Sequence, residues 1–117
     1  MGRFKKKVKL SGPKGEEEID LWVDTGADHS IIDRKIAENI GSIVIRPIGL
    51  TDIHKKVEQA ELRAITIQLN GCTSDFLTVT REGVDNVLGA DVLQGLDAIV
   101  DMKKKDIIIQ KCEPYRI

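Results

Sequence analysis

The sequence predicts an all-β domain with one or two short helices, and three observations support this fold class. The 117 residues fit a single domain, residues 1–117, with one hydrophobic core. Ile and Val provide most of the apolar volume, and β-branched side chains of this kind favour strands. Several short segments alternate apolar and polar residues between turn sequences, which is the pattern of half-buried strands.

Two strands and a turn are predicted at the start of the chain. Residues 4–10 place Phe, Val and Leu at one parity, with lysines between them. Residues 11–15 read Ser-Gly-Pro-Lys-Gly, which is typical of a turn. Residues 19–23 alternate again, and this second strand runs into Asp-Thr-Gly-Ala-Asp at residues 24–28.

The first helix is predicted to begin near Ser30. Ser30 and Asp33 have the spacing of a helix N-terminus, with the acidic residue in the first turn. Gly41 is suited to the C-terminal cap of this helix. One face of the helix would carry the apolar residues Ile32, Ile36 and Ile40.

The middle of the chain again predicts strands and turns. Residues 43–48 are strand-like, although Pro47 limits their pairing. Residues 65–69 lead into an Asn-Gly pair at residues 70–71, a strong hairpin signal, and residues 76–80 form the return strand.

The last third predicts a second short helix at residues 91–96. Two strands follow, at residues 98–100 and 107–109, joined by a lysine-rich turn. Gly-Ala-Asp occurs at residues 26–28 and again at 89–91, each time after an apolar strand and before a predicted helix. This echo suggests two related halves within one domain.

The composition argues against several classes of protein. The chain has no run of about 18 apolar residues, so we expect no transmembrane helix and no membrane partner. Cys72 and Cys112 are far apart in sequence, so we expect two reduced thiols in a cytoplasmic protein. His29 and His54 are isolated, which predicts no metal site. Aromatic residues make up only 3%, so the lysine clusters lack the stacking side chains typical of nucleic-acid binding.

Asp24 is the strongest candidate for chemistry. It follows the apolar residues Leu21, Trp22 and Val23, where a carboxylate is unfavourable unless it is paired or hydrogen-bonded. Gly26 permits a tight turn next to it. The spacing alone leaves a second interpretation open, in which Asp24 merely caps a turn before the helix.

The sequence around Asp24 resembles the active-site signature of the retropepsin-like aspartic proteases. The matching residues are Asp-Thr-Gly-Ala-Asp at 24–28, with Leu-Trp-Val before them and Ser-Ile-Ile at 30–32. Val-Leu-Gly-Ala-Asp-Val-Leu at 87–93 resembles the family's apolar-apolar-Gly stretch before its helix. The resemblance runs from Ile19 to Ile109. It implies a closed β-barrel, the acid protease fold, and a homodimer that needs no metal or organic cofactor.

The resemblance also implies the roles of individual residues, with Asp24, Thr25 and Gly26 as the catalytic group. Each subunit would supply one Asp24, and the pair would share one proton across a two-fold axis. The ionised carboxylate would activate a water, while the protonated one would hydrogen-bond the scissile carbonyl oxygen. The implied substrate-binding residues are Ala27, Asp28, His29, Ile48, Gly49, Leu50 and Val87.

Three features depart from the retroviral pattern and suggest a cellular relative. The flap region, Ile48–Lys56, holds Gly49 but no glycine-rich tip. Ala90 stands where retroviral enzymes carry an arginine, so the ion pair that would hold Asp28 is missing or supplied elsewhere. The two ends of the chain are charged, which leaves open whether they interleave in a dimer sheet.

Three functions follow from these observations. The first is an aspartic endopeptidase that cleaves extended, apolar peptides or proteins as a homodimer. The second is an inactive peptide-binding or dimerisation module, since a fold does not guarantee its function. The third is an unrelated small β domain, such as a nucleic-acid-binding barrel. The intact Asp-Thr-Gly triplet favours the first, and the scarcity of aromatics disfavours the third.

Overall fold

The computed structural model describes residues 3–51 and 57–114, which contain nine strands and two helices. The strands are β1 (Phe4–Gly12), β2 (Gly15–Val23), β3 (Ile31–Asp33), β4 (Ile43–Thr51), β5 (Val57–Leu69), β6 (Cys72–Arg81), β7 (Val87–Leu88), β8 (Ala98–Asp101) and β9 (Asp106–Ile109). The helices are α1 (Arg34–Asn39) and α2 (Ala90–Gly95). Neither of these helices has the length and apolar character needed to cross a membrane.

Seven of the strands form one sheet, in the order β1-β2-β7-β3-β6-β5-β4. β1 also pairs with β5 over Lys9–Ser11, so the sheet curls back toward its first strand. β8 and β9 form a separate two-stranded sheet. The prediction of a mostly-β fold with two short helices is therefore confirmed, whereas the fully closed barrel stays a prediction.

The core is built from alternate positions of the strands. Phe4, Val8 and Leu10 on β1 are all buried, as their alternation predicted. Each such side chain stabilises the fold by about 1.5–3 kcal/mol when it leaves water. The largest fully buried side chains on other elements are Leu21, Ile32, Ile40, Ile65, Ile67, Leu69, Leu88 and Ile107.

Three lysines of β1, at residues 5, 7 and 9, alternate with its buried side chains and lie on the outer face of the sheet. In the antiparallel register, Lys7 stands across from Asp20 and Lys9 across from Glu18. Lys5 stands across from Trp22, and its ammonium group lies 4.8 Å from the centre of that indole ring. Each of these lysines therefore has an acidic or aromatic neighbour within the subunit.

The first helix begins later than the sequence predicted. Ile32 belongs to β3 and not to the helix, and Asp33 is the N-cap, because its carboxylate accepts a hydrogen bond from the amide of Lys35 at 2.9 Å. Ser30 is therefore not the cap. The helix ends where predicted: Ile40 is its C-cap residue, and Gly41 follows with a positive φ of 70°, a conformation that suits glycine.

The two cysteines form a disulfide, which corrects the expectation of reduced thiols. Cys72 and Cys112 are 40 residues apart in sequence, but their Cα atoms lie 5.6 Å apart. The bond links the start of β6 to the segment after β9. The cytoplasmic location rested partly on free thiols, and it stays a prediction without that support.

The β8–β9 hairpin is attached to the large sheet through polar contacts as well as the disulfide. The ammonium group of Lys6 on β1 lies 2.6 Å from a carboxylate oxygen of Asp106 on β9. The Asn70 side chain donates a hydrogen bond to the main-chain carbonyl of Ile107. Asn70 and Gly71 both have positive φ, 49° and 79°, which confirms the predicted Asn-Gly hairpin turn between β5 and β6.

Candidate active site

Asp24 is the first residue beyond the end of β2. β2 lies parallel to β7, with Trp22 opposite Val87 and Val23 opposite Leu88. The ladder continues one residue further, because the amide of Asp24 donates to the carbonyl of Leu88 at 3.0 Å. The end of β2 is therefore fixed against the segment that leads into α2.

A tight turn follows at once and holds the carboxylate of Asp24. Oδ1 of Asp24 accepts a hydrogen bond from the amide of Gly26 at 3.0 Å. The main-chain carbonyl of Asp24 accepts from the amide of Ala27 at 3.2 Å. Asp24 is half-buried, while Thr25 and Gly26 are exposed. The turn-capping role that the sequence left open is thus present, and it orients a carboxylate that solvent can still reach.

The loop of residues 24–29 rests directly on the start of α2. The carbonyl of Ala27 accepts from the amide of Ala90 at 2.7 Å, and that of Asp28 accepts from the amide of Asp91 at 3.3 Å. A Cβ atom at Gly89 would lie 2.7 Å from the main-chain oxygen of His29, so only glycine fits there. The two Gly-Ala-Asp segments of the sequence are therefore in contact in the fold.

The loop ends at Ser30, which is fully buried and whose hydroxyl group makes two hydrogen bonds. Its hydroxyl donates to Oδ1 of Asp91 at 2.7 Å and accepts from the amide of Gly89 at 2.8 Å. Its amide also donates to Oδ1 of Asp91, at 2.9 Å. Sequence reasoning missed both residues as part of the site. The available signals were the position of Ser30 within the Asp-Thr-Gly signature and the second Gly-Ala-Asp, whose acidic residue is Asp91.

These contacts show how the loop is held at Asp28 although residue 90 is an alanine and not an arginine. The alanine cannot form an ion pair with Asp28, and the Asp28 side chain is exposed. The main chain holds Asp28 instead, through its carbonyl and the amide of Asp91. The Asp91 carboxylate then fixes the next part of the loop through Ser30.

The predicted substrate-binding residues fall into two groups. Ala27, Asp28 and His29 lie on the loop, and Val87 lies on β7 beside it, paired with Trp22 and Ile31. Ile48, Gly49 and Leu50 lie on β4, and three strands separate β4 from β7 in the sheet. In the part of the chain that the structure describes, no hydrogen bond joins β4 to the Asp24 loop.

The predicted flap is only partly within the described residues. β4 and β5 pair antiparallel as far as Thr51 opposite Val57, so this region is a hairpin. Its tip, residues 52–56, including His54, lies outside the described residues.

A cavity of about 260 Å³ opens beside Thr25. Its lining residues come from the loop of residues 24–29, from α2 and from β8: Thr25, Ala90, Leu93, Gln94, Ala98 and Val100. A partly apolar cavity therefore lies next to Thr25 at the candidate site. Among residues 3–51 and 57–114, no three His, Cys, Asp or Glu side chains lie close enough together to hold a metal ion.

Comparison with known proteins identifies the fold. No protein-family model and no curated protein sequence matches the chain. The structure is similar to EIAV protease in complex with the inhibitor HBY-793, with a TM-score of 0.67 and 18% identity, over 86% of this chain and 94% of that one. It is also similar to the retroviral protease-like domain of Ddi1 from Leishmania major, with a TM-score of 0.61 and 20% identity, over 90% of this chain and 87% of that one.

The chain therefore has the retropepsin-like fold, which confirms the resemblance drawn from the Asp-Thr-Gly motif. At these identities, the likeness establishes the fold alone.

Proposed function

We propose that the protein is an aspartic endopeptidase, active as a homodimer with one Asp24 from each subunit. The observation that carries this proposal is the carboxylate of Asp24, held by the amide of Gly26 at the end of β2 in a retropepsin-like fold. Thr25 and Gly26 are exposed beside it, so a second subunit and a substrate could both reach the turn.

The chemistry needs two carboxyl groups, and one subunit brings one Asp-Thr-Gly. Two such groups a few Å apart share a proton, because both cannot ionise cheaply. The ionised group takes a proton from water as the water attacks the peptide carbonyl. The protonated group hydrogen-bonds the carbonyl oxygen as it gains negative charge. No metal or organic cofactor takes part in these steps.

The outer face of the β8–β9 hairpin supports association with a second copy. Within the described ranges, β8 and β9 pair only with each other. Ile99 and Ile108 face one another across the hairpin and are 48% and 44% exposed. We take this adjacent apolar pair as the part of the surface that a second copy would cover. The opposite face of the same hairpin lines the cavity beside Thr25 through Ala98 and Val100, so the hairpin lies next to the turn that carries Asp24.

The substrate would be an extended peptide with apolar side chains. Val87 is a half-buried valine beside the loop, and Ala27 is a small residue at its centre, so neither favours a charged side chain. The β4–β5 hairpin would close over the peptide, with Ile48, Gly49 and Leu50 as its contacts.

The test is cleavage of a mixed peptide library by the wild-type protein and by Asp24→Asn. We expect the variant to lose at least about a thousandfold in kcat while the dimer persists, because the asparagine cannot take a proton from water. Asp20→Asn, an exposed change on the same strand, is the matched control and should keep full activity. A wild-type protein that binds peptides without cleaving them would support the peptide-binding module instead, and unchanged cleavage by Asp24→Asn would refute the mechanism.

A further inference from the structure

We propose that Asp91 is a positioning residue for this active site. Its carboxylate would hold the loop that carries Asp24 against α2, in place of an ion pair from residue 90. This inference rests on the proposed function, since positioning has meaning only for a site that works.

One oxygen of the Asp91 carboxylate accepts three hydrogen bonds. The donors to Oδ1 are the amide of Ser30 at 2.9 Å, the hydroxyl of Ser30 at 2.7 Å and the amide of Val92 at 2.8 Å. Two of these bonds reach the end of the catalytic loop, and the third lies in the first turn of α2. A single atom therefore joins two segments that are 61 residues apart in sequence.

Ser30 extends this contact to Gly89. The serine is fully buried, and its hydroxyl accepts from the amide of Gly89 at 2.8 Å while it donates to Asp91. Gly89 in turn has no room for a side chain, because the main chain of His29 lies against it. Gly89 donates to Ser30, and Ser30 donates to Asp91. Both hydrogen bonds join the end of the loop to residues 89–91.

The catalytic loop is consequently fixed at both of its ends. At its start, the amide of Asp24 donates to the carbonyl of Leu88 at 3.0 Å. At its end, Ser30 is bound to Asp91. Both anchors belong to residues 88–91, so a shift of this segment against the loop would move the Asp24 carboxylate. A misplacement of about 1 Å at a reacting group lowers rates by about a hundredfold.

Asp91 acts through the loop and not on the substrate. The oxygen described above is occupied by three donors, and the residue is half-buried behind Ser30. The carboxamide of an asparagine has an oxygen that could accept the same three bonds. What holds the loop is therefore the hydrogen-bond acceptor at this position, and the negative charge of Asp91 contributes less.

The test compares Asp91→Ala with Asp91→Asn and with a matched control, Asp33→Ala. Asp33 is also half-buried and accepts an amide hydrogen bond at a helix start, from Lys35, but it does not contact the catalytic loop. We expect Asp91→Ala to lower kcat about tenfold to a hundredfold with a smaller change in KM. Asp91→Asn should stay within about fivefold of the wild type, because the acceptor is kept. Asp33→Ala should lower the melting temperature and leave kcat unchanged.

Amide hydrogen exchange at Ala27 and Ala90 provides the readout that does not depend on catalysis. The amide of Ala90 donates across the contact between loop and helix, to the carbonyl of Ala27, and the amide of Ala27 closes the turn at Asp24. We expect both to exchange faster in Asp91→Ala but not in Asp33→Ala. Equal kcat in the two alanine variants, or unchanged exchange at both amides in Asp91→Ala, overturns the inference. If the wild-type protein cleaves nothing, the proposed function fails. Amide exchange in Asp91→Ala still decides whether Asp91 holds the loop: faster exchange supports this role, and unchanged exchange refutes it.

Discussion

The candidate site depends on a glycine that no other residue can replace. At Gly89 an added Cβ atom would lie 2.7 Å from the main-chain oxygen of His29 and 2.8 Å from that of Ala27. Main-chain atoms in a bonded loop cannot move aside without breaking the contacts around Asp24. The loop of residues 24–29 can therefore pack here only because glycine ends the apolar-apolar-Gly stretch.

Replacing this glycine should lower the free energy of unfolding and the activity together. We expect Gly89→Ala to lose about 1–3 kcal/mol, the usual effect of overpacking, and most of its activity. Gly95→Ala is the matched control, since its Cβ would also meet an atom at 2.7 Å, but that atom is the ring edge of the partly buried Phe76. Urea unfolding and peptide cleavage measure both effects. A Gly89→Ala protein as stable and active as Gly95→Ala would contradict this view of the loop.

Part of the site could be predicted from single residues, and part could not. Asp24, Thr25 and Gly26 form a local motif, so the sequence placed them together at the end of a strand. The role of Ser30 was hidden, because its spacing from Asp33 is equally typical of a helix cap. Its bonding partner, Asp91, lies 61 residues away. Local patterns carry no information about a partner at that distance.

The β8–β9 hairpin is attached to β1 through an ion pair. The hydrogen bond from Lys6 to Asp106, aided by the amide of Ile107, holds the pKa of the Asp106 carboxyl below its ordinary value of 3.8. Because the folded-state pKa is lowered, the stabilisation is complete above the unfolded pKa. It is lost as the pH falls through the folded pKa.

Asp106→Asn should therefore change the pH dependence of stability. We expect the wild-type protein to be more stable than the variant above about pH 5, and this difference to shrink steadily below about pH 4. The measurement is the melting temperature across this range, with the exposed Asp85→Asn as the control. A difference that stays constant down to the most acidic pH would show that the ion pair does not contribute.

The disulfide ties the segment after β9 to β6 and should contribute strongly to stability. It closes a stretch of 40 residues that contains β6, β7, α2, β8 and β9. The chain-entropy treatment of such a loop gives about 4 kcal/mol. We expect reduction of the wild-type protein to lower its free energy of unfolding by roughly this amount. Cys112→Ser should have the lower value from the start and not respond to a reductant. Equal stability of the reduced and oxidised wild-type protein would refute this role.

At the level of elements, alternation and turn chemistry predicted most of the fold. The Asn-Gly turn, α2 and the last two strands all lie where the sequence placed them. β3 was missed because Ile32, Ile36 and Ile40 fit a helical repeat, although Ile32 is buried in a three-residue strand between β6 and β7. The disulfide was missed because cysteine spacing does not reveal which strands a fold brings together.

The whole molecule presents one face that we expect a second copy to cover. Charged residues at Ile99 and Ile108 should block this association, since burying an unpaired charge costs several kcal/mol. We expect Ile99→Glu/Ile108→Glu to remain folded, to raise the dimer dissociation constant about a hundredfold or more, and to lose activity. Leu77→Glu, at a side chain that is 46% exposed on β6, is the control. Sedimentation equilibrium measures the dissociation constant, and an unaffected dimer would place the interface elsewhere.

Mixed dimers distinguish an active site that needs Asp24 from two subunits from one that a single subunit completes. Wild-type and Asp24→Asn chains are unfolded together in equal amounts, refolded at constant total concentration, and assayed for peptide cleavage. If both carboxyl groups are required, random pairing leaves about a quarter of the wild-type activity, because only dimers of two wild-type chains are active. Activity of about a half, in proportion to the wild-type chains, would mean that each subunit works alone and would contradict the shared site.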